Sequence, residues 1–316
     1  MTDARRISIE ERLRHFVDAG HPDAEPLEAA VEGSAYRLGD GTAARFWDNR
    51  RVADLVRMQQ FYAEAAARLP LPTPEILAVE DVDGLPVTVE RELSGEPLHR
   101  FLSPEEPEPL PEAVSCLVEV LGTLANATDT DYLRQLPVLD EDRPLWEGQE
   151  SFAAALAALL ERRAERSRDA LSRHVDALDR RSAQVLEKLR ALGDTPRAAV
   201  HGDLFPENIL VDEDLRPTAV VDFGFLSTAG DPRFDAAVSA AIFTTSGPYA
   251  QNTADVLTAR FADEFDYSLE HLLLYRAAYA LATSDAFAGE GSDDHLRWCA
   301  SVLNAPAVTA ALEHST

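Results

Sequence analysis

Residues 200–235, VHGDLFPENILVDEDLRPTAVVDFGFLSTAGDPRFD, constrain the rest of the chain most tightly. They hold two polar clusters, His201-Gly202-Asp203 with Asn208, and Asp222-Phe223-Gly224. The segment between them has the pattern of a β-hairpin. Ile209-Leu210-Val211 form one short apolar run, Asp212 to Pro217 an acidic turn, and Thr218 to Val221 a second run. Apolar runs bounded by Asp- and Pro-rich clusters mark strand, turn and strand. Such a hairpin brings Asn208 and Asp222 together at its open end, with Asp203 on the loop before it. Two carboxylates and an amide oxygen then converge at one point.

That convergence suits phosphoryl transfer. The chemistry needs a carboxylate to orient an attacking hydroxyl and accept its proton. It also needs oxygen ligands for the Mg²⁺ that bridges nucleotide phosphates. Asp203 and Asn208 have the five-residue spacing of a kinase catalytic loop, and Asp222-Phe223-Gly224 follows as the metal-binding triplet does in kinases. With His-Gly-Asp in place of His-Arg-Asp, the stretch resembles the aminoglycoside phosphotransferase and choline kinase-like family, which also includes homoserine and macrolide kinases. The trailing Gly230-Asp231-Pro232 with Asp235 resembles that family too.

The resemblance implies an α+β, protein-kinase-like two-lobe fold. It has a small antiparallel-sheet N-lobe over residues 1–93 and a mainly helical C-lobe over 94–316, with ATP in the cleft between them. It implies ATP and Mg²⁺ as cofactors and a small-molecule hydroxyl as acceptor. Asp203 is the implied catalytic base, and Asn208 and Asp222 the metal ligands. His201 supports the loop by hydrogen bonding, and Asp235 braces it through backbone amides. Four acceptor readings stay open. A cationic antibiotic such as an aminoglycoside is the first, and a metabolite such as homoserine or choline the second. A nucleotide-binding relative without activity is the third. A protein kinase is the weakest, because no Ala-Pro-Glu segment follows Asp222-Phe223-Gly224.

The N-terminal half is read against that expectation. Ile9, Leu13, Phe16 and Val17 recur at helical spacing within residues 1–20. Three short strands are expected at Leu27–Val31, Ala35–Leu38 and Thr42–Trp47. The turns between them are Glu32-Gly33-Ser34 and Gly39-Asp40-Gly41. The first turn, with Ser34, is where the resemblance puts the cover over the ATP phosphates, although no GxGxxG loop is present. The third strand is where kinases carry a phosphate-binding lysine. Lys188 is the only lysine in the chain, so Arg45 takes the implied position. A helix over 50–68 would supply its acidic partner, either Glu64 or a glutamine, Gln59 or Gln60. A hairpin of 76–79 and 86–91 turning at Asp83-Gly84 completes a five-stranded antiparallel sheet. Glu90 and Leu93 then fall on the implied adenine-binding hinge. Whether the nucleotide is ATP or GTP is not legible.

Beyond residue 101 the pattern is helical, with expected helices over 112–126, through 151–192, and at 236–243, 252–265, 268–287 and 292–303; residues 129–150 read as an irregular loop. No repeat or long linker interrupts it. No run of eighteen apolar residues and no signal-peptide core appear, which predicts no membrane span and a cytoplasmic location. Cys116 and Cys299 are far apart and read as free thiols. The net charge of −27 argues against nucleic acid as a partner and would draw in a cationic small molecule. The resemblance implies that substrate amines are met by acids of the C-lobe, where two acidic groups occur, Asp263, Glu264, Asp266 and Glu270, and Asp285, Glu290, Asp293 and Asp294. Oligomeric state is not legible.

Overall fold

Helix α1 (Ile9–Asp18) starts at a capping box. The Glu11 amide donates to Ser8 Oγ (3.2 Å) and the Ser8 amide to Glu11 Oε2 (2.8 Å), so two donors the helix would leave bare are satisfied. Its one buried residue, Phe16, meets Tyr36 and Phe46 with ring centroids 5.4 and 5.6 Å apart. This computed structural model describes residues 8–27, 33–48, 50–245, 247–287 and 293–313. The chain divides into two compact units, Met1–Gly95 with Thr218–Val221, and Glu96–Pro217 with Asp222–Thr316.

The first unit is a five-stranded antiparallel sheet of β1 (Glu25–Pro26), β2 (Gly33–Arg37), β3 (Thr42–Trp47), β4 (Ile76–Val82) and β5 (Leu85–Arg91), in the order β1-β2-β3-β5-β4. Tyr36, Leu38, Ala44, Phe46 and Val87 close one face over Phe16. Asp83 and Gly84 both adopt positive φ, 52° and 85°, and so make the tight hairpin their sequence predicts. Helix α2 (Val52–Arg68) buries Leu55, Phe61, Tyr62 and Ala65. Two expectations change here. The edge strand is Glu25–Pro26, and residues 28–31 of the expected Leu27–Val31 strand lie outside the described residues, as does Glu32. Gly33 and Ser34 are strand, not turn. Gly33 has φ 151°, and a Cβ there would stand 1.8 Å from the Phe46 carbonyl oxygen, so only glycine lets β2 close on β3.

The second unit begins with β6 (Glu96–Pro97) and a single 3₁₀ turn, Leu98–Phe101. Helices α3 (Pro111–Asn126), α4 (Phe152–Leu171) and α5 (Leu178–Ala191) follow. Next come β7 (Ala198–Val200) and β8 (Ile209–Val211), the latter paired with β6. The acidic turn closes through Asp212, whose side chain accepts from the Asp214 and Arg216 amides (3.0 and 2.9 Å). After it comes β9 (Pro217–Val220), of which Thr218–Val220 belong to the first unit, where Thr218 Oγ1 donates to the Ser94 carbonyl (2.7 Å). Strand β10 (Thr228–Gly230) returns antiparallel to β7. Helices α6 (Arg233–Ile242), α7 (Ala250–Phe265), α8 (Leu269–Thr283), α9 (Asp294–Asn304) and α10 (Pro306–Glu313) complete the unit. Residues 234–242 of α6 are all buried, and α8 is buried from Leu272 through Ala280. A helix that is apolar all round belongs at the centre of a core, and these two form that centre. No helix among the described residues is long and apolar enough to cross a membrane. Both cysteines are buried free thiols.

Candidate active site

Strand β7 runs into His201-Gly202-Asp203, and the first turn of α6 holds this bend from behind. Asp235 is buried and accepts from the His201 amide through Oδ2 (2.7 Å) and from the Gly202 amide through Oδ1 (2.8 Å). Burial pushes its carboxyl up to about 6, against the pull of those two backbone donors. Gly202 has φ 80°, and a Cβ there would lie 2.4 Å from the Leu226 backbone. Glycine therefore lets the loop press against the segment that follows Asp222-Phe223-Gly224. Ser227 joins the two: its hydroxyl donates to the His201 carbonyl (2.6 Å) and accepts from the Gly224 amide (2.9 Å). The His201 ring, fully buried, packs on Phe223 at 4.4 Å, and its Nδ1 accepts from the Asp203 amide at 3.3 Å.

Asp203 is anchored at both main chain and side chain. Its carbonyl accepts from Asn208 Nδ2 (2.9 Å) and from the Phe205 amide (2.9 Å), and its Oδ1 accepts from Tyr279 Oη (2.9 Å). Tyr279 comes from α8 and is buried. One carboxylate oxygen is thus pinned by the phenol. Burial raises the Asp203 carboxyl to about 7; the Tyr279 bond opposes this, and the carboxylates of Asp222, Asp235 and Glu207 add to it. The phenol of Tyr279 is raised in turn by burial and by the adjacent charge, so it is a hydrogen-bond donor and not an acid in this setting.

Asp222 is exposed and has φ 64°, a left-handed conformation that Asp tolerates better than most side chains. Because Asn208 uses its amide nitrogen on the Asp203 carbonyl, its Oδ1 is the end left for a cation. Among the described residues no three or more His, Cys, Asp or Glu side chains gather in a way that could hold a metal ion. Mg²⁺ takes one or two protein oxygens and completes its shell with water and substrate phosphates. The donor set of Asn208 and Asp222 fits that ion.

The residues singled out in the first unit are arranged differently. Arg45 pairs across β2 and β5 with Ala35 and Thr88, and its guanidinium lies 4.9 Å from the Trp47 ring. Ser34 pairs with Phe46, the neighbour of Arg45, so the two side chains project from opposite faces of the sheet. The Ser34 hydroxyl accepts from Arg12 Nη1 of α1 (2.5 Å). Ser34 and Arg45 therefore do not converge on one ligand. Glu90 Oε1 accepts from Thr88 Oγ1 (2.6 Å), whose oxygen in turn accepts from Trp47 Nε1 (3.0 Å). Leu93 follows β5 outside regular structure. The two kinds of acidic-partner candidate in α2 are engaged elsewhere. Gln59 Nε2 donates to the Ile76 carbonyl at the β4 irregularity (2.9 Å), and Glu64 lies 3.6 Å from Arg68.

The acidic groups of the second unit are also largely taken. Asp285 is clamped by Arg163 Nη2 (2.6 Å) and Arg166 Nε (2.7 Å), Glu270 by Lys188 (2.6 Å), and Glu264 by Arg260 (2.6 Å). Glu290 lies outside the described residues. Sequence reasoning missed Tyr279 and Ser227. Tyr279 is separated from Asp203 by 76 residues in an apolar helix pattern, and Ser227 sits in an unremarkable Leu-Ser-Thr run.

The profile of the phosphotransferase enzyme family matches residues 23–271. Among solved structures, the chain is similar to the apoenzyme of macrolide 2'-phosphotransferase MphH from Brachybacterium faecium, at 17% identity and TM-score 0.55 over 94% of this chain and 99% of that one. It is similar to the aminoglycoside phosphotransferase APH(2")-IIa in its gentamicin complex, at 13% identity and TM-score 0.55 over 95% and 96%. It is also similar to APH(3'')-Id from Streptomyces rimosus in complex with ADP and streptomycin, at 16% identity and TM-score 0.50 over 84% and 95%. At these identities the likeness is one of fold, the α+β kinase-like fold of these phosphotransferases. No curated protein matches the chain in sequence.

Proposed function

The chain belongs to the phosphotransferase enzyme family, and from that premise we propose that it moves the γ-phosphoryl group of ATP to a hydroxyl of a small molecule. The observation that carries this reading is the anchoring of Asp203. Its main chain is tied to Asn208, its carboxylate to Tyr279, and its loop through Ser227 to the Asp222-Phe223-Gly224 segment. A phosphotransferase has little covalent chemistry to perform and depends on this kind of positioning.

In the proposed step the acceptor hydroxyl lies against Asp203 Oδ2 and its oxygen attacks the γ-phosphorus. The new O–P bond forms as the bond to the β,γ-bridging oxygen breaks, ADP leaves with that electron pair, and the hydroxyl proton passes to Asp203. A carboxyl raised to about 7 is matched to such a proton transfer near neutral pH. Asn208 and Asp222 would hold Mg²⁺, which when bound offsets the charge of the phosphates. His201 and Asp235 support the loop from within. Arg45 is the proposed phosphate contact and the main chain at Glu90 and Leu93 the proposed adenine contact. Ser34, bonded to Arg12 and facing away from Arg45, is a weaker phosphate contact than the sequence implied. Residues 1–93 are proposed as the nucleotide-binding lobe and 94–316 as the lobe that receives the acceptor.

The test is transfer of labelled γ-phosphate from MgATP to streptomycin, a macrolide, homoserine, choline and simple aromatic alcohols. Label in at least one alcohol is expected, with Asp203→Asn lowering kcat by about two to four decades at unchanged MgATP affinity. An Asp203→Asn protein that turns over at the wild-type rate would overturn the assignment of the base.

A further inference from the structure

A row of aromatic rings runs from the proposed base to the proposed metal-binding segment, entirely within the second unit. It starts at Tyr279, whose hydroxyl is bonded to Asp203. Tyr279 meets Trp298 edge-on at 6.0 Å, and Trp298 stacks on His295 at 5.7 Å. His295 meets Phe287 edge-on at 4.9 Å, and Phe287 stacks on Phe225 at 6.0 Å with an interplanar angle of 10°. Phe225 is the residue after Asp222-Phe223-Gly224. Both ends of the row are thus fixed to the parts that would act on the acceptor hydroxyl.

Only one end of the row is fully in the core. Tyr279 is core, but Trp298, His295 and Phe225 are only half-buried and Phe287 is 40% exposed. Large rings left partly exposed beside a polar group suit contact with an apolar ligand. Charge narrows the ligand. Asp285, two residues before Phe287, is held between Arg163 and Arg166 and turned away from solvent. His295 is bonded to Thr283 through Nε2 (2.9 Å to the carbonyl), and burial lowers its pKa, so it adds no charge. Among the described residues, Asp203 and Asp222 at the ends of the row belong to the proposed base and metal site, and Asp293 and Asp294 lie exposed at the start of α9, where Asp294 pairs with Arg297 one turn on. Between the proposed catalytic acids and the start of α9 a polycation would find few carboxylates along the rings, whereas an apolar body would find a run of aromatic side chains in mutual contact.

We infer that the acceptor is an uncharged alcohol on an apolar, preferably planar, body that lies against Phe225, Phe287 and Trp298 while its hydroxyl reaches Asp203. This rests on the phosphotransferase reading for the identity of the site, but its test is one of binding. The protein is titrated with 2-phenylethanol, choline and streptomycin in the presence of Mg²⁺ and β,γ-imido-ATP, with saturation-transfer NMR and calorimetry as readouts. The expected result is transfer to the phenyl ring and an affinity weakened about tenfold by Phe287→Ala, the loss of one aromatic contact. Binding should be unchanged between about 50 and about 300 mM salt. Phe287 is exposed enough for alanine to leave the fold intact; Trp298→Phe, which keeps a ring, should weaken binding less. The inference is overturned if phenylethanol does not bind, or binds equally well to Phe287→Ala. It is also overturned if choline or streptomycin binds in a manner that depends on Phe287 and weakens with salt. Absence of turnover on every alcohol would instead count against the phosphotransferase reading and leave the binding result standing.

Discussion

At the scale of single residues, the proposed chemistry rests on one carboxylate with one pinned oxygen. Removing only the Tyr279 hydroxyl frees the Asp203 side chain to rotate while leaving the ring against Phe234 and Trp298. Tyr279→Phe should therefore lower kcat on any acceptor by about ten- to hundredfold, the cost of a base misplaced by about an ångström. KM for MgATP should stay within about twofold, and steady-state kinetics on the best alcohol decides it. A fall confined to KM would assign Tyr279 to substrate contact instead. Asp222→Ala should abolish the Mg²⁺ dependence of nucleotide binding, because it removes the only carboxylate of the proposed pair. Calorimetry with MgATP and with metal-free ATP measures this, and equal metal dependence in the variant would remove Asp222 from the ligand set. Asp203, Asn208, Asp222 and Asp235 stand out in the sequence because their spacing within one stretch is itself the signal. Tyr279 and Ser227 do not, because a hydroxyl in an apolar helix or a short strand reads as packing until its partner is known. Ser34 and Arg45 were read as one phosphate site. Which face each took depended on the β2–β3 register, Ser34 opposite Phe46, and that is a tertiary fact.

Among elements, α6 and α8 carry the site because their positions are over-determined. Helix α6 presents Asp235 at its first turn, and α8 presents Tyr279 from its buried middle. A carboxylate with two oxygens can accept from both the His201 and Gly202 amides, whereas an amide side chain can accept from one and must turn N–H toward the other. Asp235→Asn should therefore destabilise the protein by about 1–3 kcal/mol, the range for a buried donor left unsatisfied. The thermal midpoint should fall by a few degrees, and calorimetric scanning checks it; an unchanged midpoint would mean that the loop does not depend on this brace. Helices α1 to α3 and α6 to α9 were readable within a few residues, whereas α4 and α5 read as one helical span over 151–192, with the break at 172–177 unmarked. The strands β6, β7 and β10 were not, since two or three residues offer no alternation to detect. Helix α10 was not either, because its Pro306-Ala-Val start follows α9 by a single residue. In the first unit the sheet was legible from β-branched and aromatic runs and from its Gly-Asp-Gly and Asp-Gly turns. Its edge strand was displaced toward Glu25–Pro26, where no apolar pattern marks it.

For the whole molecule, the dominant physical quantity is charge. The chain carries 56 acids against 29 lysines and arginines, so even if every base were paired, roughly half of the acids would remain without a partner of opposite sign. Many bases are in fact paired: Arg163 and Arg166 with Asp140 and Asp285, Arg162 with Glu141, Lys188 with Glu270, Arg37 with Glu25 and Glu92. The Arg37 pairs and Arg166–Asp140 are at the surface, where each contributes at most about 1 kcal/mol, whereas Arg163 and Asp285 are nearly buried. The unpaired excess repels itself over distances comparable with the Debye length, about 10 Å at 0.1 M salt. Salt thus acts in two directions, weakening the pairs and relieving the repulsion. With a net charge of −27 the second effect should be the larger. The thermal midpoint should rise by a few degrees between about 10 and about 300 mM sodium chloride, measured by calorimetric scanning at neutral pH in the absence of nucleotide and metal. A midpoint that falls over this range would mean that the ion-pair networks around Arg163 and Arg37, not the self-repulsion of the acids, govern the electrostatics of the fold.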